Sequence, residues 1–338
     1  MTDPLALARQ LVDIPSVSGE ERDVAVYLGR HLTDLGYRVD LFDAAPDRPN
    51  VLATTGHPPR LVFSTHLDTV PPHIPAREAD AALYGRGACD AKGIIAAQIA
   101  AAERLRAEGV DDIGLLFVVD EEMGSAGARA ASAHARARDC RWLIDGEPTD
   151  NKLAAGSKGS LRLRLHTAGT AAHSAYPEQG RSAIDLLLDV LADVRGIAWP
   201  TDPFFGDTTL NIGVVAGGTR PNVVAAAARA DLQVRLATDA EPVKRLLERA
   251  VGTRARIEYL TAVSPVRLTT VPGFDSCVVR FTTDIPHLAS WGRPLLLGPG
   301  SILEAHTDHE HLPLAELAAG VEAYVRLARA LLRDRVIA

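Results

Sequence analysis

The sequence contains little cysteine and no excess of basic residues. Its 338 residues include three cysteines, Cys89, Cys140 and Cys277, without CxxC spacing. An odd, dispersed set argues against a disulfide framework and a zinc knuckle, and it favours a reducing compartment. With 36 Lys and Arg against 43 Asp and Glu, the net charge of -7 offers no basic surface to nucleic acid or to an anionic membrane.

The chain also lacks patterns that would direct it to a membrane. The N-terminal residues MTDPLALARQLVDIPS have no basic region followed by an apolar core, so we expect no signal peptide. No uninterrupted apolar stretch is as long as a membrane span. These absences predict a soluble, cytoplasmic protein whose partners include neither nucleic acid nor membrane.

What is present is a change of pattern along the chain. A length of 338 residues favours two domains. In the first 150 residues, short apolar runs alternate with helical patterns, which is typical of βαβ units and a largely parallel sheet. From about residue 155, segments such as GSLRLRLHTAG alternate apolar and polar residues, as half-buried antiparallel strands do. The first pattern returns from about residue 265.

These patterns predict an α/β fold with a mostly parallel sheet and helices on both faces, interrupted by an inserted α+β domain. The α/β domain would comprise residues 1–154 and 264–338. The inserted domain would comprise residues 155–263.

Several individual elements follow from the same patterns. Helices are expected over 94–108, near 274–283 and over 312–335. Ser18-Gly-Glu-Glu21 resembles a capping box that opens a helix ending at Gly36.

Acids and histidines follow four of the predicted strands. In open α/β sheets the ligand crevice lies outside the carboxyl ends of the strands. LVFST precedes His66 and Asp68, LLFVV precedes Asp120, Glu121 and Glu122, WLI precedes Asp145 and Glu147, and PLLLG precedes Glu304 and His306. In addition, GRGACDAKG places Asp90 in a glycine-flanked loop before a helix.

Each segment also has a simpler interpretation. An HxD pair alone is weak evidence for a metal, DEE after a strand is more often a solvated turn, and DGE is a common turn sequence. GRGACDAKG lacks the GxxxxGK[ST] spacing of a phosphate loop. In AHTDHEH, His309 and His311 are chemically as suitable as His306.

The occurrence of these residues at successive strand ends nevertheless favours a metal site. Crowded carboxylates that lose water are costly unless cations neutralise them. Mixed histidine and carboxylate ligands suit zinc, and also cobalt or manganese. An odd number of acids around two histidines indicates two ions bridged by one carboxylate.

The whole chain resembles the M20 metallopeptidases and deacylases, most closely acetylornithine deacetylase and succinyl-diaminopimelate desuccinylase. Eight motifs occur in the family's order: IPSVSGEE, STHLDTVP, YGRGACDAKG, VVDEEMGS, DGEPT, AHSAYPEQGRSAI, NIGVVAGGTRPNVV and GPGSILEAH. The resemblance implies a zinc-hydrolase-type α/β domain with an inserted dimerisation domain, and hence a homodimer.

The resemblance also implies roles for individual residues. One of two divalent ions, Zn²⁺ or Co²⁺, would be bound by His66 and Glu147, the other by Glu122 and His306, and Asp90 would bridge them. Asp68 would orient the His66 imidazole, and Glu121 would be the general base. Asp120 is expected to be a structural turn acid.

Further implied residues concern the substrate. His173 of the inserted domain would stabilise the oxyanion, reaching into the partner's site. Asn222 and Arg235 would bind the substrate, and Gly298 and Ser301 would line its pocket. The Asp90–Ala91 peptide bond is expected to be cis, as in relatives.

The activity implied is hydrolysis of an N-acyl amino acid, with N-acetylornithine favoured and arginine biosynthesis as its setting. The alternatives are a desuccinylase or a hydrolase releasing lysine or ornithine from a carrier protein, and then a dipeptidase or carboxypeptidase. A ligand-binding homologue without activity would have lost the base or the ligands, whereas Glu121 and all five predicted ligands are present.

Overall fold

The computed structural model describes residues 2–333, which form two compact units. The larger unit comprises the chain up to Ala155, Leu268–Cys277 and the chain from Thr283 onwards. The smaller unit comprises Gly156–Arg267 and Val278–Thr282. The roles expected for the two domains, catalysis and dimerisation, stay predictions.

The first part of the larger unit contains alternating strands and helices. In chain order they are α1 (Pro4–Asp13), α2 (Arg22–Asp34), β1 (Arg38–Ala45), β2 (Arg48–Thr54), β3 (Leu61–His66), β4 (Arg77–Ala79), β5 (Ala82–Tyr84), α3 (Lys92–Ala107), β6 (Ile113–Val118), α4 (Ala126–Ser132) and β7 (Trp142–Asp145).

The chain then passes through β8 into the elements of the smaller unit. These are β8 (Leu153–Ser157), β9 (Gly159–Ala168), α5 (Ala183–Arg195), β10 (Thr201–Asp202), β11 (Gly206–Asp207), β12 (Thr209–Gly217), β13 (Ala227–Leu236), α6 (Ala240–Val251), β14 (Arg256–Val263) and β15 (Val266–Arg267).

The C-terminal part corrects one of the predicted helices. Its elements are β16 (Ser276–Val279), β17 (Arg293–Leu296), β18 (His311–Pro313) and α7 (Leu314–Arg333). The helix predicted near 274–283 is wrong, because β16 is a strand whose β-branched Val278 and Val279 suit extended backbone. The helix predicted over 312–335 begins at Leu314, and its predicted end lies outside the described residues.

A six-stranded sheet in the order β1-β2-β6-β3-β7-β17 forms the centre of the larger unit. Strands β6, β3, β7 and β17 run parallel, whereas β2 is antiparallel to both β1 and β6. Strands β3, β6 and β7 are buried at every residue, which explains their continuous apolar runs.

Helices cover both faces of this sheet, as predicted. On one face α1, α2, α3 and α7 share a core cluster with β3 and β6. On the other face α4 and the segment before β17 pack through residues such as Leu288 and Trp291. Helix α3 is buried along most of its length because its alanines allow close approach to α1 and α7. The predicted α/β fold class is confirmed.

The capping box predicted at Ser18 and Glu21 is wrong. Glu21 precedes α2 but makes no side-chain cap to it, and its carboxylate pairs instead with Arg48. The Ser18 hydroxyl donates to Asp68 Oδ2 at 2.7 Å. Both side chains therefore make contacts distant in sequence, while Gly36 follows the helix at φ +85° as a left-handed stop.

The smaller unit contains an antiparallel sheet in the order β12-β13-β9-β14, against which α5 and α6 pack. Leu161, Leu163 and Leu165 of β9 are fully buried and alternate with exposed or partly exposed residues. Edge strand β12 is more open, with Val214 and Val215 exposed by 46% and 53%.

None of the helices within residues 2–333 is long and apolar enough to span a bilayer.

Candidate metal centre

The parallel strands bring three sequence segments to one edge of the sheet. His66 is the last residue of β3 and pairs with Val118, the last residue of β6. Ser64 of β3 pairs with Asp145, the last residue of β7. The segments that follow these strands, including Glu121 and Glu147, therefore leave the sheet at the same edge.

Gly146 allows the β7 segment to lie close to its neighbours. Its amide donates to the Ser64 carbonyl at 2.7 Å, and its carbonyl accepts from the Thr65 hydroxyl at 2.7 Å. A Cβ atom here would lie 2.4 Å from the Ile94 side chain. Glycine is therefore required for Glu147 to emerge beside His66.

Within residues 2–333, six side chains form two groups of potential ligands. In each group the ligand atoms lie within 4.8 Å of one another; the groups are His66, Glu121 and Glu147, and Asp90, Glu122 and His306. The five ligands predicted from the sequence and the predicted base thus lie in two adjacent clusters.

Asp90 connects the two groups. Its Oδ1 lies 2.9 Å from His66 Nε2, and its Oδ2 lies 3.5 Å from His306 Nε2. His306 Nε2 in turn lies 2.8 Å from Glu122 Oε1. One carboxylate therefore presents an oxygen to each imidazole, which is the arrangement that a bridging ligand requires.

The surroundings of His66 differ in detail from the expectation. Its Nδ1 lies 2.9 Å from the backbone carbonyl of Asp68 and 3.5 Å from the Asp68 carboxylate. That carboxylate accepts from the amides of Glu121 and Glu122 at 3.0 and 3.2 Å. Asp68 thus contacts the imidazole mainly through its backbone, while its side chain fixes the acidic segment.

The three consecutive acids after β6 have three different environments. Asp120 has φ +71°, its carboxylate pairs with Arg48 at 2.8 Å, and its carbonyl accepts from the amides of Gly124 and Ser125. It is the turn acid expected. Glu121 joins the His66 group and Glu122 the His306 group. The segment delivers neighbouring carboxylates to different clusters.

Burial and mutual charge dominate the electrostatics. Burial, reinforced by Glu121 and Asp90, raises the pKa of Glu147 well above its usual value. Burial likewise raises the pKa of Glu121. Contacts with Asp90 and Glu122 raise the pKa of His306 to about 10. The raised pKa values mean that the ionised forms of Glu121 and Glu147 are disfavoured without a nearby positive charge, which divalent cations would supply.

The loop before α3 has the expected special backbone. The Asp90–Ala91 peptide bond is cis, as predicted, and Pro71–Pro72 is also cis. Gly87 has φ +89°, and a Cβ atom there would lie 2.9 Å from the Lys92 side chain.

Of the three histidines in AHTDHEH, His306 alone contacts the clustered carboxylates. Nε2 of His309 and Nδ1 of His311 lie 3.7 and 3.3 Å from Glu304 instead. His311 also stacks on Tyr84 at a centroid distance of 5.0 Å. The geometry favours His306 among the alternatives.

The GPGS residues have mainly backbone contacts. The Gly298 amide donates to Thr149 Oγ1 at 3.0 Å, and its carbonyl accepts from the amides of Thr149 and Asn151. Ser301 accepts from the Cys89 thiol through its carbonyl at 3.3 Å. Their pocket-lining role stays a prediction.

The remaining predicted residues lie in the smaller unit. His173 forms an isolated bridge with Val223, and its Nδ1 accepts from the Ala175 amide at 3.1 Å. The Asn222 carbonyl accepts from the Ser174 amide at 3.0 Å, so these two segments are neighbours. Arg235 lies in β13 and contacts Thr282 at 3.4 Å.

Sequence reasoning did not assign Ser18 or Arg48 to the centre. Both contact its acids, Ser18 through Asp68 and Arg48 through Asp120. These contacts join residues 50 and 72 positions apart, so no short motif contains the signal.

Residues 62–330 match the peptidase family M20/M25/M40. A peptidase M20 domain-containing protein of Schizosaccharomyces pombe is 36% identical over 334 residues, covering 96% of this chain and 83% of its own. A probable carboxypeptidase of Aspergillus clavatus is 38% identical over 372 residues, covering 97% and 82%. The chain belongs to this metallopeptidase family and is a hydrolase of amide bonds.

Solved structures of low sequence identity share the fold. An M20 family metallo-carboxypeptidase from Sulfolobus solfataricus matches with a TM-score of 0.79 and 17% identity, covering 98% of this chain and 99% of its own. A Bacillus subtilis protein described as a dinuclear metal binding peptidase of the M20 family matches with a TM-score of 0.68 and 15% identity, covering 98% of each chain.

Proposed function

We propose that this protein hydrolyses the amide bond between an acyl group and an α-amino acid with the aid of two divalent ions. His66 and Glu147 would bind one ion, and Glu122 and His306 the other. The observation that carries the proposal is Asp90, whose two carboxylate oxygens face His66 and His306 separately.

The donor set fits such ions. It combines imidazole nitrogens with carboxylate oxygens, as zinc and cobalt sites do. The unfavourable ionisation of the crowded, buried and half-buried carboxylates gives an independent electrostatic reason for cations. When bound, two such ions would polarise the amide carbonyl and lower the pKa of water. Zinc is the proposed metal, and cobalt is the alternative.

Glu121 is the proposed general base. Its amide is held by Asp68, and its carboxylate lies within 4.8 Å of ligand atoms of His66 and Glu147. It would accept a proton from the attacking water and donate it to the departing amine nitrogen. Glu122, held by the same Asp68 carboxylate, would remain a ligand.

The substrate has two candidate forms with the same reacting group. An N-acyl amino acid and the C-terminal end of a peptide both contain an acyl amide next to a free α-carboxylate. The curated relatives named as probable carboxypeptidases favour the peptide, which was the third choice from the sequence. N-acetylornithine remains the second candidate, because the segment GPGSILEAHTDHEHLPL at residues 298–314 resembles that of acetylornithine deacetylases.

Arg235 and Asn222 are the proposed substrate ligands. A guanidinium suits bidentate capture of the α-carboxylate that both substrates carry. Gly298 and Ser301 would line the pocket. His173 would stabilise the oxyanion of the reacting carbonyl.

We further propose a homodimer formed by the smaller unit, with His173 acting in the partner's site. Exposed edge strand β12, with Val214 and Val215, supports an association surface, because exposed strand edges pair readily with another chain. Sedimentation of the purified protein tests this proposal, and a monomer at micromolar concentration would reject it.

A substrate panel tests the activity. N-acetylornithine, N-succinyl-diaminopimelate and N-blocked dipeptides would be assayed with zinc and with cobalt, against the same peptides carrying a C-terminal amide. We expect cleavage of free-carboxylate substrates only, with peptides preferred. Equal cleavage of the amidated peptides would reject carboxylate recognition, and hydrolysis of N-acetylornithine alone would select the second candidate.

A further inference from the structure

Glu310 is a buried carboxylate that accepts hydrogen bonds from three backbone amides of one loop. This loop, residues 85–91 between β5 and α3, carries Asp90 and is called the Asp90 loop below. It is 1% exposed and lies four residues after His306. Its Oε1 accepts from the amides of Gly87, Cys89 and Asp90 at 3.0, 3.1 and 3.1 Å. A single oxygen therefore holds the backbone of the loop that carries the candidate bridging ligand.

The other oxygen of Glu310 pairs with Arg86 in the same loop. Arg86 Nη1 donates to Glu310 Oε2 at 2.7 Å and to the Thr307 carbonyl at 3.1 Å. The Gly85 amide donates to the Glu310 carbonyl at 3.0 Å. Arg86 is also 1% exposed, so this ion pair joins the Asp90 loop, inside the protein, to residues 297–310, the loop between β17 and β18 that carries His306.

No side chain at the start of α3 can replace Glu310 as the hydrogen-bond acceptor for these backbone amides. Ala91, which precedes the helix, makes no side-chain cap, and the first turn contains no acid. Buried backbone amides need acceptors. Glu310 supplies one from 220 residues further along the chain, and its negative charge also lies near the positive end of the α3 dipole.

We propose that Glu310 is a positioning residue for Asp90, which sets its backbone so that one carboxylate oxygen faces His66 and the other faces His306. This inference rests on the proposed function, because it assumes that Asp90 bridges two ions. Partners that orient metal ligands typically contribute about 10–100-fold to metal affinity. Loss of Glu310 should weaken metal binding by that factor without removing any ligand.

Glu310→Gln is the first test variant, since it keeps the size of the side chain and removes its charge. Zinc stoichiometry and affinity would be measured by competition with a chromogenic chelator, and the cobalt-substituted protein by its visible absorption. We expect about 10–100-fold weaker zinc binding and an altered cobalt spectrum. At saturating metal, kcat should fall while KM stays near that of the wild type.

Glu310→Asp serves where Glu310→Gln does not fold. It keeps the charge but withdraws the carboxylate by one methylene, so an intermediate loss of affinity is expected. Unchanged zinc affinity and cobalt spectrum in either folded variant would overturn the proposal.

Two control variants separate positioning from general destabilisation. Leu32→Ala opens a cavity in the buried face of α2, and Asp231→Asn breaks the Arg164 ion pair of the smaller unit. Both should keep wild-type zinc affinity and cobalt spectrum. An equal loss of affinity in Leu32→Ala would overturn the proposal. Absence of zinc binding by the wild type itself would instead reject the proposed function.

Discussion

Glu121 and Glu147 are both close enough to His66 to share a metal ion with it, but the proposed function gives them different roles. Both belong to the His66 group, with ligand atoms within 4.8 Å of one another. Either could bind an ion on distance alone. We assign Glu147 as a metal ligand and Glu121 as the general base. Substitution of Glu121 by Gln should therefore affect turnover, whereas substitution of Glu147 by Gln should affect metal binding.

Glu121→Gln should bind two ions with wild-type affinity and lose most of its turnover. A positioned general base contributes about 10²–10⁴-fold to rate, which corresponds to about 3–5 kcal/mol of transition-state stabilisation. Because substrate binding does not require the base, KM should change little. The Glu121 amide contact with Asp68 is a backbone contact and survives the substitution.

Glu147→Gln is the matched comparison, since it makes the same chemical change in the same group. It removes a ligand, so the affinity for one ion should fall by more than about 100-fold. This loss is larger than the loss of about 10–100-fold expected when only a residue that orients a ligand is changed. Metal content after dialysis and single-turnover rates would be measured for both variants. Loss of an ion from Glu121→Gln, or near-normal turnover in it, would refute the assignment of Glu121 as base.

Three further predictions test other parts of the proposal. Chelation should abolish amide hydrolysis and zinc or cobalt should restore it; full activity in the metal-free protein would reject the metal. His173→Ala should lower turnover strongly with metal content unchanged, and mixed dimers with Glu121→Gln should regain partial activity if sites are shared; verified mixed dimers without recovery would count against sharing. Burial raises the pKa of Asp284 to about 7 from 3.8, and the nearby charges of Asp68 and Asp120 act in the same direction. Stability of the metal-free wild type should therefore fall between about pH 4 and 7, where only the unfolded chain releases this proton, by up to about 4 kcal/mol. Asp284→Asn should remove this part of the pH dependence of the free energy of unfolding, measured by urea denaturation. If the free energy of unfolding of the variant falls with pH as steeply as that of the wild type, the prediction is wrong.

The sequence by itself was sufficient to predict the fold class, and it proposed the candidate site residues. Continuous apolar runs in β3, β6 and β7 predict buried parallel strands, and the leucine alternation of β9 predicts an antiparallel one. Continuous apolar runs and apolar–polar alternation are both local properties of the chain, so the sequence alone can predict these strands. The positions of His66, Glu121 and Glu147 after such strands likewise indicate a common edge.

Two predictions from local sequence patterns were wrong, because contacts with residues distant in the chain determine the structure there. Ser18 and Glu21 have capping-box spacing, yet they bond to Asp68 and Arg48. The segment near 274–283 was predicted as a helix, but Ser276–Val279 is extended and pairs within a sheet with β8. Partners far away in the chain offer contacts that local propensity cannot anticipate.

Only the tertiary structure decided which acids and histidines meet. It brought His306 rather than His309 or His311 to Glu122, and it gave Asp90 an oxygen for each imidazole. It also revealed Glu310, which no motif distinguishes from a surface acid. The reason is physical: the spacing of residues along a chain limits local structure, whereas a metal centre depends on angles and distances that exist only after the sheet and its loops have packed.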